Sequence, residues 1–273
     1  MMIKIFGLLI LLCFTPALLA LDLPPHDPIP GGLAVLEIPN AGVVPPLLTY
    51  QDRRVMTLRH KGRWWAVVGI PLDSKPGWQQ LERSMNGYAQ PVLKFQVHAK
   101  DYPAQYITLR NNNYVEPNPA TQQRIVREAR LREQALNTWS DQLPSTFSFI
   151  KPVSGRYSSE FGLRRFFNKK PRRPHSGLDI AAARGTPISA PASGRIVATE
   201  DLFFNGKTVF IDHGQGLVTM FCHLDKITVK PDQFIQSGEP VGTVGSTGRA
   251  TGPHLHWSVA LNGNLVQPRL FLR

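Results

Sequence analysis

The distribution of glycine is the feature of this sequence that most restricts its fold. Fourteen of the 22 glycines lie between Gly155 and Gly263, separated by short intervals. Glycine destabilises helix interiors and is common in tight turns. Short apolar runs between such turns are typical of strands, and residues 195–199, 208–212, 217–222, 240–244 and 254–261 fit that description. The C-terminal half is therefore predicted to be β-rich, with almost no helix.

The N-terminal half also contains short runs with the composition of strands. Residues 92–97 alternate apolar and polar side chains, as a half-buried strand does, and similar runs cover 55–58, 64–70 and 105–109. Histidines in this half are isolated from one another, which is more typical of surface or core residues than of metal ligands. We expect a small β domain without a catalytic centre of its own.

Between the two halves, the segment from Pro119 to about Asp141 favours a connecting helix. It contains no glycine and no internal proline, and it is rich in good helix formers. Asn118 is suited to the N-cap, Pro119 to the first turn, and Pro144 follows the end.

The N-terminus has the pattern of a secretory signal peptide. Lys4 precedes an apolar run from Ile5 to Phe14, and Ala20 offers a small residue for cleavage. The run is short for a membrane span, although an uncleaved anchor is the alternative. Removal of residues 1–20 also removes one of the two cysteines and leaves Cys222 as the sole thiol, which excludes an internal disulfide.

The chain is strongly basic, with a formal net charge of +12 from 31 Lys and Arg against 19 Asp and Glu. Such an excess attracts polyanions. Export argues against nucleic acid and leaves anionic lipid or an acidic cell-wall polymer. One basic stretch precedes His175, either as a solvated loop or as the lining of a groove that holds an anionic peptide. It comprises Arg164, Arg165, Lys169, Lys170, Arg172 and Arg173.

Two short motifs predict a metal site. His175 and Asp179 are four residues apart with Gly177 between them, and His254-Leu255-His256 places two imidazoles on one face of a strand. His175, Asp179 and one of these two histidines would leave the fourth position of a tetrahedral zinc open for water, which is the catalytic pattern. The other histidine, together with His223, would then face the open site as a proton acceptor or donor.

The order and setting of the motifs resemble the lysostaphin/LytM-type zinc metallopeptidases, peptidase family M23, from about Lys151 to the C-terminus. The matching segments are Ser158–Arg165, His175–Ile180, Gly185–Ile188, Phe221–Leu224, and Gly245–Gly248 followed by Thr251–Trp257. Two positions depart from the commonest pattern: Phe221 stands where tyrosine is usual, and Ser258 where an acidic residue is frequent.

This resemblance implies the role of each site residue. His175, Asp179 and His256 would bind Zn²⁺, and His223 and His254 would be the catalytic pair. His254 would act as base or orient the water, and His223 would stabilise the oxyanion. His213 occupies a familiar family position, and we expect a structural role for it. Cys222 is expected to point away from the site, as a small buried residue.

The resemblance also implies a fold and a function. The expected fold is mainly β, with a signal peptide (1–20), an N-terminal β-rich accessory domain (21–115), a linker with a helix (116–145) and a zinc peptidase domain (146–273). The expected function is that of an exported zinc metalloendopeptidase, acting in the periplasm or cell envelope on the stem peptides and cross-links of peptidoglycan.

Alternatives remain open for this function. A non-catalytic cell-wall-binding activator of amidases and a carboxypeptidase that trims stem peptides are both compatible with a family resemblance. Some relatives are latent, which suggests an intramolecular N-terminal inhibitory segment; His26 or Asn111–Asn113 would be candidates to fill the open zinc position.

Overall fold

The computed structural model describes residues 21–39, 42–85, 88–109 and 111–273, so the predicted signal peptide at residues 1–20 lies outside the described residues. The described chain is built mostly of strands and has one α-helix, which confirms the predicted mainly β fold. No helix in these segments is long and apolar enough to cross a membrane.

Strands dominate both halves of the chain. Those of the N-terminal half are β1 (Leu33–Ile38), β2 (Thr49–Tyr50), β3 (Arg53–Arg54), β4 (Met56–His60), β5 (Arg63–Gly69), β6 (Gly77–Met85), β7 (Tyr88–Val97) and β8 (Ala104–Ile107). Those of the C-terminal half are β9 (Arg156–Ser159), β10 (Arg164–Phe167), β11 (Lys170–Pro171), β12 (Leu178–Ala181), β13 (Pro187–Ser189), β14 (Gly194–Leu202), β15 (Gly206–Gly214), β16 (Leu217–Ile227), β17 (Phe234–Ile235), β18 (Pro240–Val244), β19 (His254–Leu261) and β20 (Asn264–Val266). Short 3-10 helices cover Asn112–Tyr114 and Pro268–Phe271.

The single α-helix of the described chain, α1 (Pro119–Leu136), connects the two halves as predicted. The side chain of Asn118 accepts a hydrogen bond from the Thr121 amide at 2.8 Å, and Pro119 occupies the first turn. These are the predicted start signals. The helix ends at Leu136, several residues before the predicted end near Asp141.

The strands form four sheets. Ten strands of the C-terminal half make the largest one, whose main path runs β17-β14-β15-β16-β19-β12-β9. Two smaller antiparallel sheets belong to the N-terminal half, with the orders β1-β5-β4 and β3-β2-β6-β7. The fourth sheet joins the halves, because β8 pairs in parallel with β10. A parallel pair needs a long crossover, and α1 lies within it.

One hydrophobic core is shared by the N-terminal sheet β1-β5-β4 and the large sheet. Leu33, Met56 and Val67 are fully buried in the same cluster as Leu178 and Trp257. Hydrogen bonds reinforce the junction, since the Gly69 amide donates to Asn262 Oδ1 at 2.8 Å. The N-terminal half therefore packs against the large sheet, on the face opposite the predicted site.

The register of the large sheet brings distant parts of the sequence together. Asp179 on β12 lies directly opposite His256 on β19, and His256 in turn lies opposite Cys222 on β16. Residues that face each other across an antiparallel pair share one face of the sheet. This face carries the predicted site, and the other face contributes Leu178, Phe221 and Trp257 to the shared core.

Candidate metal centre

Three of the predicted residues converge on one point. His175 Nε2 lies 3.0 Å from Asp179 Oδ1 and 3.0 Å from His256 Nδ1. Asp179 Oδ1 lies 2.8 Å from His256 Nδ1. All three residues are buried. The structure thus brings together the three residues that the family resemblance implies as ligands, and their binding of a metal stays a prediction.

The outer nitrogens of the two imidazoles identify which atoms hold lone pairs. His175 Nδ1 lies 2.6 Å from the carbonyl oxygen of Glu160, which can only accept, so the proton of the neutral ring is on Nδ1 and Nε2 is free. His256 Nε2 lies 2.9 Å from Ser258 Oγ, which leaves Nδ1 free when Nε2 donates. Ser258 thus supplies an oxygen where an acidic residue is frequent in the family.

Two imidazole nitrogens and one carboxylate oxygen at this spacing need a cation between them. Lone pairs that face one another at 2.8–3.0 Å repel unless a proton or a metal ion lies between them. The donor set of two nitrogens and one oxygen suits a tetrahedral zinc with an open fourth position. The residues present therefore fit the metal that the resemblance implies.

The charge of Asp179 is fixed by its surroundings. Burial alone would raise the pKa of this carboxyl, but without a metal, protons on the ring nitrogens of His175 and His256 that face it form hydrogen bonds that hold the pKa well below its usual range. Its second oxygen, Oδ2, accepts a hydrogen bond from Arg165 Nη2 at 2.9 Å. Gln105 on β8 in turn accepts from Arg165 Nε at 3.2 Å. This outer support was missed by the sequence analysis, because Gln105 is 60 positions away from Arg165 in the chain.

The local backbone explains why glycine separates the first two ligands. A Cβ atom on Gly177 would lie 2.6 Å from the His256 ring and 2.6 Å from Ser258 Oγ. His175 itself precedes β12, and its amide donates to the Leu163 carbonyl at 2.9 Å. His175 therefore takes its position from a loop held against Leu163, and not from the alternation of residues along a strand.

The two predicted catalytic histidines lie beside this cluster. Their ring centroids are 4.8 Å apart, and the His223 ring is 6.0 Å from that of His256. His223 Nδ1 lies 2.8 Å from the Thr247 carbonyl oxygen, and His254 Nδ1 lies 2.8 Å from that of Gly252. Each neutral ring therefore keeps its Nε2 lone pair available, and His254 Nε2 is 3.9 Å from Asp179 Oδ1. Burial, together with the nearby rings of His254 and His256, lowers the pKa of His223 to about 3.

Cys222 lies on the same face of the sheet as His256, contrary to the prediction that it points away. Strict alternation fails because His223 has a φ of 64°, a left-handed conformation that reorients the chain after Cys222. The prediction of a small buried residue agrees with the structure, since Cys222 is 0% exposed and packs with Met220 and Ala260. Burial raises the pKa of its thiol to about 12, which leaves it protonated.

Most residues of the predicted basic stretch form hydrogen bonds or ion pairs with other parts of the chain. Arg165 binds Asp179, Lys170 pairs with Glu116, and Arg172 Nη2 donates to the Val115 carbonyl at 2.7 Å. Arg164 Nε donates to the Tyr102 carbonyl at 2.9 Å. These contacts give the basic stretch a structural role, in holding the segment that precedes α1, besides the predicted role of lining a substrate groove.

His213 has the contacts of a structural residue. Nδ1 lies 2.9 Å from the Ser193 carbonyl oxygen, and Nε2 lies 2.8 Å from Thr219 Oγ1. The ring packs against Phe149 at 5.2 Å between centroids. Burial lowers its pKa to about 4, so the ring is neutral at neutral pH.

Comparison with known proteins agrees with the motifs. The model of peptidase family M23 matches residues 173–268, and that of the peptidase family M23 N-terminal domain matches residues 26–100. A crystal structure from Pseudomonas aeruginosa that is assigned to peptidase M23 is 44% identical, with a TM-score of 0.75. The match covers 90% of this chain and 95% of that chain.

Curated relatives match the C-terminal half. The DD-carboxypeptidase/endopeptidase Mpg of Neisseria meningitidis is 41% identical over 120 residues, which are 44% of this chain and 28% of the relative. The peptidoglycan DD-endopeptidase ShyA of Vibrio cholerae is 40% identical over 112 residues, which are 41% of this chain and 26% of the relative. The chain thus covers little more than a quarter of these relatives. Because the Pseudomonas aeruginosa protein is matched over nearly its whole length, the chain belongs to peptidase family M23, a family of metallopeptidases.

Proposed function

We propose that the chain is an exported zinc metalloendopeptidase that hydrolyses the peptide cross-links of bacterial peptidoglycan. The observation that carries this proposal is the convergence of His175 Nε2, Asp179 Oδ1 and His256 Nδ1, with the imidazoles of His223 and His254 beside them. The names of Mpg and ShyA support the substrate class.

His175, Asp179 and His256 would hold the zinc. When bound, zinc would acidify a water and polarise the scissile carbonyl of the peptide. His254 is assigned the role of base because its Nε2 lies close to the ligands, at 3.9 Å from Asp179 Oδ1. Once protonated, this nitrogen becomes a donor for the leaving amine. His223 is assigned to the oxyanion: its ring is neutral in the resting site, and it would donate from Nε2 once the negative charge that develops on the substrate oxygen raises the pKa of the ring.

The location follows from the substrate. Peptidoglycan lies outside the cytoplasmic membrane, and residues 1–20 have the pattern of a signal peptide. We therefore place the mature chain in the periplasm or cell envelope.

We further propose that residues 111–116, here called the strap, restrict access to the site. The strap contacts three segments that border the site. The Tyr114 ring packs against Phe203, with 5.0 Å between the ring centroids. The carbonyl of Val115 accepts a hydrogen bond from Arg172, and that of Tyr114 accepts one from Arg249. His26 and the Asn111 side chain make local contacts instead, to the Val35 backbone and the Asn113 amide. The proposed strap would therefore restrict access by covering the site, and not by filling the open zinc position with His26 or Asn111.

Zinc analysis combined with mass spectrometry of products from cross-linked sacculi tests the function. The wild-type chain should bind about one zinc and convert cross-linked dimers to monomers. His256→Ala should lose both zinc and hydrolysis, whereas His223→Ala should keep zinc and lose about 100-fold or more in rate. His98→Ala, which changes an exposed histidine of the N-terminal half, is the matched control.

Three outcomes would redirect the proposal. Dimer cleavage at the wild-type rate by His256→Ala would overturn the ligand assignment. Removal of only the terminal residue of stem peptides would identify a carboxypeptidase. A zinc-loaded chain that cleaves nothing but stimulates an amidase would support the non-catalytic activator.

Removal of the Tyr114 ring tests the strap. Tyr114→Ala should raise kcat/KM several-fold, because it removes the packing against Phe203. Tyr106→Ala is the control, since that exposed ring on β8 packs on Phe166 outside the strap. An unchanged or lower kcat/KM in a Tyr114→Ala chain that keeps its zinc would contradict a restraining strap.

A further inference from the structure

Arg249 is a partly buried cation whose hydrogen-bond partner is a neutral group. Its guanidinium lies between the rings of Phe167 and Phe204, at 4.4 and 4.3 Å from their centroids. Nη1 donates to the Tyr114 carbonyl of the strap at 3.3 Å. Burial, together with the nearby charges of Arg165 and Arg172, lowers the pKa of Arg249 to about 10. With both faces covered by aromatic rings, the guanidinium has its edge left for polar partners.

Arg172 has the same kind of partner. Nη2 donates to the Val115 carbonyl and Nη1 to the Pro171 carbonyl, each at 2.7 Å. Within the parts of the chain that the structure describes, neither Arg172 nor Arg249 forms an ion pair with a carboxylate. The two guanidinium groups therefore donate hydrogen bonds to two consecutive carbonyls of the strap. A carboxylate would suit them better, because it matches a guanidinium in both geometry and charge.

Arg249 is linked through its own loop to the catalytic histidines, and the charge of Arg172 is close enough to Arg249 to lower its pKa. Arg249 belongs to the loop between β18 and β19, which also supplies the Thr247 and Gly252 carbonyls that hold His223 and His254. Phe204 precedes Asn205, whose carbonyl accepts from the His223 amide at 2.8 Å. A ligand group at the two guanidinium groups would therefore lie beside the loop that holds the catalytic histidines.

We propose that Arg172 and Arg249 form a binding site for a carboxylate of the substrate, and that the Tyr114 and Val115 carbonyls of the strap occupy this site in its absence. The inference rests on the proposed function, because the stem peptides of peptidoglycan carry free carboxylates next to their cross-links. It adds a residue pair that selects acidic peptides and a direct competition between strap and substrate.

Binding of a non-cross-linked stem-peptide fragment to the zinc-loaded full chain tests this site. Isothermal titration compares the fragment with free carboxylates and the same fragment with its carboxylates amidated. The wild-type chain should bind the acidic fragment about tenfold or more tightly than the amidated one. Arg249→Gln and Arg172→Gln should each reduce that preference to about twofold or less, chiefly by weakening the acidic fragment.

Arg195→Gln is the matched control, because Arg195 also donates to a main-chain carbonyl, that of Asp232, but lies on β14 at a position exposed to solvent. It should keep the wild-type preference.

Tyr114→Ala should strengthen binding of the acidic fragment more than that of the amidated one, since the competing strap is loosened. Zinc content and thermal unfolding of every variant identify chains that fail to fold, and Arg249→Lys supplies a second, conservative variant that should retain part of the preference.

An equal affinity of the wild-type chain for both fragments would overturn the inference, as would an unchanged preference in folded Arg249→Gln. The titration is independent of hydrolysis, so the two proposals fail separately. A chain that prefers the acidic fragment through Arg249 but cleaves no cross-link contradicts the proposed function alone. A chain that cleaves cross-links without that preference contradicts the carboxylate site alone.

Discussion

Arg165 and Asp179 form a largely buried ion pair, in which the guanidinium binds one carboxylate oxygen and the other oxygen faces the two histidines of the predicted metal site. Arg165 Nη2 lies 2.9 Å from Oδ2, while Oδ1 faces His175 and His256. The orientation of the carboxylate is thus set by a residue from β10, and through Gln105 by β8.

Loss of the Arg165 guanidinium should weaken metal binding. Arg165→Gln frees Oδ2 and lets the carboxylate rotate, so we expect the zinc affinity to fall by about 10- to 100-fold. Competition with a chromogenic chelator measures this. Arg164→Gln is the control, because that neighbouring side chain donates to the Tyr102 carbonyl instead. Equal affinities for the two variants would show that Arg165 does not position the ligand.

A methyl group at residue 177 should also disturb the cluster. In Gly177→Ala the new Cβ would lie 2.6 Å from the His256 ring, so the ring must leave its present position in the cluster. We expect a chain that folds but binds zinc at least about tenfold more weakly. Gly252→Ala serves for comparison, since a Cβ there meets nothing within 4 Å. Wild-type zinc affinity in Gly177→Ala would contradict the tight contact.

The neutral, buried His213 should make stability depend on pH. Its folded pKa is about 4, below the ordinary 6.5, so the unfolded chain takes up a proton more readily. The contribution is therefore fully present above about pH 6.5 and is lost progressively as the pH falls to about 4, with a total of about 3 kcal/mol. Urea unfolding of wild type and His213→Gln at several pH values measures the difference. Parallel pH profiles for the two chains would rule out this contribution.

Cys222 should be inert although it neighbours the site. Cys222→Ala should retain zinc and hydrolysis, because the thiol is buried and protonated and lies outside the ligand cluster. The small loss of packing should cost about 1 kcal/mol or less of unfolding free energy. Zinc analysis and denaturant titration check this. Loss of zinc in Cys222→Ala, with the free energy of unfolding nearly unchanged, would instead identify the thiol as a ligand.

Local sequence signals predicted much of this structure. Asn118 and Pro119 predict where α1 begins, and the alternation of His254 and His256 predicts their shared face on β19. In both cases a pattern within a few residues decides the outcome. The ligand set needed the family resemblance in addition, because spacing left either histidine of the pair as a candidate.

Features that depend on long-range pairing were beyond prediction. Gln105 reaches Arg165 because β8 joins β10, and no local pattern indicates which two strands pair. The sequence analysis placed the Cys222 side chain on the wrong face of the sheet. Its alternation rule assumes regular strand geometry, and the left-handed backbone of His223 departs from that geometry. The role of Arg249 was missed because its aromatic neighbours come from distant parts of the chain, Phe167 from β10 and Phe204 from the turn after β14.

The core that joins Leu33 and Met56 to Trp257 limits how this peptidase can be recombined with other proteins. Because the curated relatives align with less than half of this chain, an exchange of catalytic regions between them looks simple at the level of sequence. In this chain, such a graft would leave the apolar faces of two sheets without their partners. A working chimera therefore has to carry β1, β4 and β5 along with the catalytic sheet, and a protease-resistant fragment of this protein should contain both.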